Sequence, residues 1–266
     1  MKRLLEDPLS RAWIEHQEQQ KTPPNTIKRR ESTLRNIGNA GAATREEVEA
    51  WWNGRTHLAP ATRSNDLANL RSFYKWCQRW DHRDDDPTRR IDAPKVPNGL
   101  PRPMSRHDLH RALTAFPDDL RRAAALGAYA GMRVSEAAAL DWQDVDAEAG
   151  TVDVIESKGT KSRRIAVSPV LMDALLPNTG GNVVRAGKKA YSADTLQRKV
   201  NRALLRVGID ATFHQLRHRY GTLAYQATGD LLAVGRMMGH SSVTSTAIYA
   251  QANDDIAAKI ASAVTR

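Results

Sequence analysis

Arg133, Lys158, His214, Arg217, His240 and Tyr249 follow one another through the C-terminal half of this 266-residue chain. They stand in the stretches GMRVSEAAALDW, VDVIESKGTKSRRIAV, HQLRHRYGT and MMGHSSVTSTAIYA. Such a set suits the cleavage of a phosphodiester with a tyrosine as nucleophile. Two obstacles protect that bond: charge builds on the non-bridging oxygens, and the leaving alkoxide is a poor one. Catalysis is then largely positioning and electrostatic stabilisation. Arg133 and Arg217 answer the first obstacle, because a guanidinium is always charged and forks two N–H donors onto phosphate. Glu136, one helical turn beyond Arg133, can orient that end of the site; the plainer alternative is an i,i+3 surface pair. A lysine at a hairpin tip can reach a leaving oxygen, and Lys158 precedes Gly159 in a turn, although turn lysines are usually only solvated. A tyrosine hydroxyl, with an ordinary pKa of ~10, is a weak nucleophile until a base or nearby cations help it. His214 and His240 can share a proton near neutral pH or donate to a phosphate oxygen. Taken alone, Tyr249 reads equally as a packing tyrosine, and His214 and His218 as polarity on a helix surface.

The elements that must hold these residues are mostly helices. Thr44 to Glu47 is a capping-box pattern opening the segment with Val48, Trp51 and Trp52. Pro60 starts a helix with Leu67, Leu70, Phe73, Tyr74, Cys77 and Trp80 at helical spacing. Its other faces carry Arg63, Arg71, Lys75 and Arg79, either a phosphate-binding surface or an ordinary solvated one. From Asp81 to Met104 the periodicity stops at Pro87, Pro94, Pro97, Pro101 and Pro103. This basic, partly stiff stretch reads as a linker between halves that close around something anionic. A second domain opens at Ser105 with two helices, the second rich in alanine. Val152 and Val154, then Ile165 and Val167, alternate about a Lys158–Lys161 turn as a hairpin. Helices are expected again over 192–207, 213–228, 230–238 and in the tail 254–264. The predicted fold is mainly α with a small antiparallel β-sheet: a helical domain over 1–81, a linker over 82–104, and a mixed α/β domain over 105–266.

The formal charge of +10 points to a polyanionic partner, the alternative being a merely basic soluble enzyme. The single cysteine, Cys77, excludes an internal disulfide and suits a reducing compartment, and its helical neighbours make it a packing residue. No apolar run reaches the ~18 residues of a membrane span, and the first residues are no secretory signal. The expected location is the cytoplasm, with no membrane contact. His107 and His110 lack further ligands for a metal, and Gly187-Lys188-Lys189 fails the phosphate-loop pattern, although its cations can touch DNA.

Gly131 to Glu136 (GMRVSE), His214 to His218 (HQLRH), and GHSS with a tyrosine nine residues after His240 resemble the tyrosine recombinase, or phage integrase, family. The family signature is Arg, Lys, His-x-x-Arg, His or Trp, and Tyr, in that order, and all six positions are filled from about Ser105 to Tyr249. The resemblance implies a core-binding DNA domain in the N-terminal helices and a catalytic domain after the linker. It implies Tyr249 as the nucleophile of a 3′-phosphotyrosyl link. Arg133, Arg217 and His240 would hold the scissile phosphate, Lys158 would be the general acid for the 5′-hydroxyl, and His214 would assist proton transfer. Arg63, Arg71, Lys75 and Lys161 are the candidate DNA contacts. No metal or nucleotide cofactor is needed, since the phosphotyrosine conserves the bond energy. Met132 stands where leucine is frequent, and Ser157 where glycine is; neither is a reacting group. The implied partners are double-stranded DNA recombination sites, further copies forming a homo-tetramer on DNA with exchange of the C-terminal helix, and accessory factors. The expected activity is integration and excision of DNA. The alternatives are a Xer-like resolvase of replicon dimers, a type IB topoisomerase, or a DNA-binding protein with a dead site. The closeness of the first helix to the start leaves little room for a separate arm-binding domain.

Overall fold

A computed structural model describes residues 5–97, 101–155, 162–178, 180–187, 189–240, 246, 248 and 249. Helices α1 (Pro8–Gln19) and α2 (Pro24–Ile37) both begin on a proline, whose fixed φ suits the first turn and whose missing N–H is not needed there. Helix α3 (Arg45–Asn53) starts at the expected capping box: Glu47 N–H donates to Thr44 Oγ1 at 3.2 Å and Thr44 N–H to Glu47 Oε2 at 2.8 Å. Helix α4 (Pro60–Arg79) again opens on proline. It packs on α1 and α2, and Leu67, Leu70, Phe73, Tyr74 and Cys77 form one buried stripe against Trp13, Leu34 and Trp52.

The chain divides into two compact units, Met1–Pro97 and Asn98–Arg266. Much of the proline-rich stretch therefore belongs to the first unit. Ile91 is in its core, Thr88 is buried, and Arg83 donates to the carbonyls of Gly41 and Ala43 at 2.9 Å each. Prolines forbid helix there, but they do not prevent an apolar residue between them from being buried.

In the second unit, α5 (Arg106–Ala115) opens on Ser105, whose Oγ accepts the Asp108 N–H at 2.9 Å. The alanine-rich helix α6 (Asp118–Tyr129) and the short α7 (Val134–Ala139) follow. Strands β1 (Val145–Asp146), β2 (Thr151–Ile155) and β3 (Ser162–Ala166) form an antiparallel sheet, with Val152 opposite Ile165 and Val154 opposite Arg163. Then come α8 (Pro169–Leu175), a two-stranded ladder of β4 (Arg185–Ala186) and β5 (Lys189–Ala190), α9 (Ala193–Arg206), α10 (Phe213–Thr228) and α11 (Leu231–Met238). Helix α6 is the hub, buried from Arg122 to Ala128 and packed on α5, α7, α8, α9 and α10. Gly127 lets α10 come close: a methyl there would lie 3.1 Å from Phe213 and 3.2 Å from Leu216. The expected tail helix 254–264 lies outside the described residues. No helix among the described residues is long and apolar enough to cross a membrane.

Candidate active site

Three successive carbonyls at the C-terminal end of α11 organise the site. A helix leaves its last carbonyls without intrahelical partners, and that end carries partial negative charge. Here each meets a different arginine. Arg163 Nε donates to Met237 O at 2.8 Å, Arg217 Nη2 to Met238 O at 2.7 Å, and Arg133 Nη2 to Gly239 O. Gly239 closes the helix at φ +65°, a left-handed conformation that favours glycine.

The same arginines gather on Glu136. Arg133 precedes α7; its backbone N–H donates to Glu136 Oε2 at 2.7 Å and its Nη1 to Oε1 at 2.8 Å. Arg163 forks onto both carboxylate oxygens, Nη1 to Oε1 at 3.0 Å and Nη2 to Oε2 at 2.7 Å. Arg217 Nη1 lies 3.9 Å from Oε2. Burial alone would raise the Glu136 carboxyl, but the hydrogen bonds from Arg163 and from the Arg133 N–H hold it below its ordinary value. Arg217 is 3% exposed and also donates through Nη1 to the Gly131 carbonyl. Burial and the neighbouring Arg133 lower it to about 10, so it remains a cation at neutral pH. Gly131, at φ +63°, turns the chain from α6 into α7, and Tyr220 occupies the space a side chain there would need.

His240 follows the same helix end. Its Nδ1 lies 2.8 Å from Thr246 Oγ1, and Thr246 packs over the bare face of Gly235. Burial first, then Arg217 and Arg133, push the imidazole down to about 4, so it is neutral at neutral pH. The Tyr249 ring stacks parallel to His240 at 6.4 Å between centroids and meets His218 edge-on at 5.8 Å. Tyr249 is 2% exposed and seated on Gly221 of α10, where any Cβ would overlap its ring. Burial raises its hydroxyl pKa, and Arg217 opposes that rise. His214, near the start of α10, lies 4.3 Å from the His218 ring. Burial and then Arg217 depress His214, while His218 falls to about 4 through burial and then His214.

Arg133, His214, Arg217, His240 and Tyr249 thus line one cleft of about 480 Å³, together with Ser135, Gln197 and His218. Lys158 and Lys161 lie outside the described residues. The three helix cations belong to the first unit. Arg63 rests its guanidinium 4.2 Å over the Trp52 ring, and Arg71 donates to Ile91 O. Lys75 is exposed beside a hollow it shares with His16, Trp76 and Trp80. Sequence reasoning missed Arg163, Thr246 and Gly221. For Arg163 the signal was strand alternation, which sets it on the same face as buried Ile165 and turns Arg164 outward onto Asp153 at 2.8 Å. Among the described residues, no group of three or more His, Cys, Asp or Glu is placed to hold a metal ion.

Residues 104–255 match the Phage integrase family. Tyrosine recombinase XerC of Xanthomonas campestris pv. campestris (strain B100) is 30% identical over 222 residues, which cover 77% of this chain and 68% of that protein. A lambda integrase dimer bound to a COC' core site shares the fold, with a TM-score of 0.74 at 18% identity over 89% of this chain and 95% of that one. A lambda integrase tetramer bound to a Holliday junction has a TM-score of 0.73 at 19% identity, over 89% and 77% of the two chains. With more than half its length matched and a relative this similar, the chain belongs to the phage integrase family: it is a tyrosine-type site-specific recombinase, an enzyme that cleaves and religates DNA.

Proposed function

We propose that the cleft is the strand-cleavage site and that Tyr249 is its nucleophile, working on double-stranded DNA recombination sites. The convergence of Arg133, His214, Arg217, His240 and Tyr249 on one cleft carries this reading. Tyr249 Oη attacks the scissile phosphorus and loses its proton. The bond from phosphorus to the 5′ oxygen breaks, and the electron pair leaves with that oxygen. Lys158 supplies the proton that turns it into a 5′-hydroxyl. A 3′-phosphotyrosyl link remains, and attack by a 5′-hydroxyl from a second strand reverses each step. Arg133 and Arg217 bind the non-bridging oxygens, already oriented by Glu136 and the end of α11 before substrate arrives. His240 Nδ1 and Thr246 Oγ1 share a hydrogen bond; in the tautomer in which the hydroxyl donates to Nδ1, the ring hydrogen sits on Nε2 and is donated to the phosphate. His214, depressed and so neutral, is suited to assist transfer of the tyrosine proton.

The N-terminal helical unit acts as the core-binding domain and touches the backbone through Arg71 and Lys75, with Lys161 on the hairpin of the second unit. Arg63 joins them only by leaving Trp52. No metal or nucleotide enters the reaction. The working assembly is a homo-tetramer on DNA with exchange of C-terminal helices, aided by accessory factors, in the cytoplasm. The lambda integrase tetramer on a Holliday junction, of like fold, supports this assembly. The biological outcome is integration and excision. Resolution of replicon dimers is the second reading, favoured by the XerC relative.

Tyr249→Phe is expected to abolish covalent trapping on a nicked suicide substrate while leaving DNA binding intact. An adduct formed by the phenylalanine variant would mean the nucleophile is misassigned. Relaxation of supercoils without paired-site products would instead identify a topoisomerase.

A further inference from the structure

Helix α10 sets His214, His218 and Gly221 on one stripe, at spacings of four and three residues. Tyr249 lies at the Gly221 end of that stripe. The ring atom nearest to the bare face of Gly221 is Cζ, the carbon that bears the hydroxyl. From there the ring contacts run outward in order. Tyr249 meets His218 at 5.8 Å between centroids and His218 meets His214 at 4.3 Å, both edge-on, so His218 stands between the tyrosine and His214. Exposure follows the same order: Tyr249 is buried, His218 half-buried and His214 exposed. Loss of solvent around the rings holds both imidazoles below their ordinary value, so each is neutral at neutral pH and keeps one nitrogen free of hydrogen. The Nδ1 of His218 is buried and meets no hydrogen-bond partner among the described residues. Buried polar atoms are ordinarily bonded, and an exception in a reactive cleft points to use in the chemistry rather than in the fold.

We propose that His218 takes the proton of Tyr249 directly and passes it to His214, which releases it to solvent. This deepens the reading of Tyr249 as nucleophile and rests on it. As a lone pair of Oη bonds to phosphorus, the O–H bond breaks and its electron pair stays on the oxygen. The proton forms an N–H bond at the bare nitrogen of His218. The imidazolium then gives the hydrogen on its other nitrogen to the bare nitrogen of His214 and is neutral again. When a 5′-hydroxyl displaces the tyrosine, the same transfers in reverse return a proton to Oη. A buried hydroxyl thus gains a route for its proton, which His214 alone does not offer from the far side of His218.

His218→Phe keeps a ring beside Tyr249 and removes both nitrogens, which separates proton transfer from packing. Single-turnover formation of the covalent complex on a nicked suicide substrate is measured for His218→Phe, His214→Phe, the double variant and Tyr249→Phe, with DNA affinity and thermal unfolding alongside. His218→Phe is expected to cleave about 10²-fold more slowly, with DNA affinity unchanged. The measurement is repeated with 3-fluorotyrosine at position 249, whose hydroxyl is the more acidic and needs less help to lose its proton. There the loss caused by His218→Phe should shrink. The double variant should be no slower than the slower single one, because one path is cut in either case. Normal cleavage by His218→Phe would overturn the proposal, since a ring alone would then suffice. An equal loss with tyrosine and fluorotyrosine would overturn it too, leaving His218 a packing residue and Tyr249 still the nucleophile. Losses that multiply in the double variant would mean that the two histidines act separately, and would end the relay. An adduct formed by Tyr249→Phe would remove the nucleophile itself, and this proposal with it. If His218→Phe does not fold, His218→Gln gives the same comparison, since an amide does not take up a proton at neutral pH.

Discussion

Gly221 sits inside α10, where alanine is ordinarily the better residue by about 1 kcal/mol. Its bare face is instead the seat of Tyr249, and three ring atoms stand too close to admit a Cβ. Gly221→Ala is therefore expected to leave the helix intact while pushing the Tyr249 ring out of its place between His218 and His240. Displacing a reacting group by about 1 Å costs on the order of 10²-fold in rate. Covalent-complex formation should fall by that much, with circular dichroism unchanged. Gly54→Ala is the control, since nothing lies closer than 3.4 Å to a Cβ there. Equal activity in the two variants would mean that the seat has no part in cleavage. The contrast also marks the limit of the sequence at this scale. That Arg133, His214, Arg217, His240 and Tyr249 come to one cleft was legible, because each stands in a local motif with a side chain able to act on phosphate. The places of Gly221, Thr246 and Arg163 beside them were not, because these arise from contacts with distant parts of the chain.

Helix α10 carries His214, Arg217 and His218, so the fixing of its first turn matters for all three. The Phe213 N–H donates to Asn201 Oδ1 of α9 at 2.9 Å, and the Thr212 N–H to Gln215 Oε1 at 2.6 Å. The Gln215 carbonyl in turn accepts the Met104 N–H at 3.2 Å. Asn201→Ala removes one acceptor in a part-buried place, and the unsatisfied donor should cost about 1 kcal/mol of stability. A lowered urea midpoint with an unchanged slope is the expected result; an unchanged midpoint would mean that solvent replaces the asparagine. Such a cap between separate helices is invisible to local pattern, although the helix itself was not: periodicity gave 213–228, the observed Phe213–Thr228. The proline-rich stretch is the opposite case. Its composition correctly forbids helix, but burial of Ile91 depends on the pocket that α4 and its neighbours leave open, which no local rule encodes.

Positive charge is spread over both units. Met1–Pro97 has 18 lysines and arginines against 14 acids, and Asn98–Arg266 has 22 against 16. DNA binding by the whole chain should therefore draw on phosphate contacts from both, and log K should fall linearly with log salt at about 0.9 per phosphate neutralised. Individual cations will not contribute alike. Lys75 is exposed on α4, so Lys75→Gln is expected to weaken binding to all DNA sequences and to reduce the salt slope by about 1. Arg63 is committed to Trp52, and a cation resting on an aromatic face contributes about 0.5–1 kcal/mol to folding. Arg63→Gln should accordingly lower the unfolding midpoint and leave the slope almost untouched. Titrations of labelled duplex across a range of salt, paired with urea unfolding of each variant, separate the two effects. A slope that falls for Arg63→Gln and not for Lys75→Gln would reverse the assignment, placing phosphate beside Trp52 rather than along the exposed side of α4.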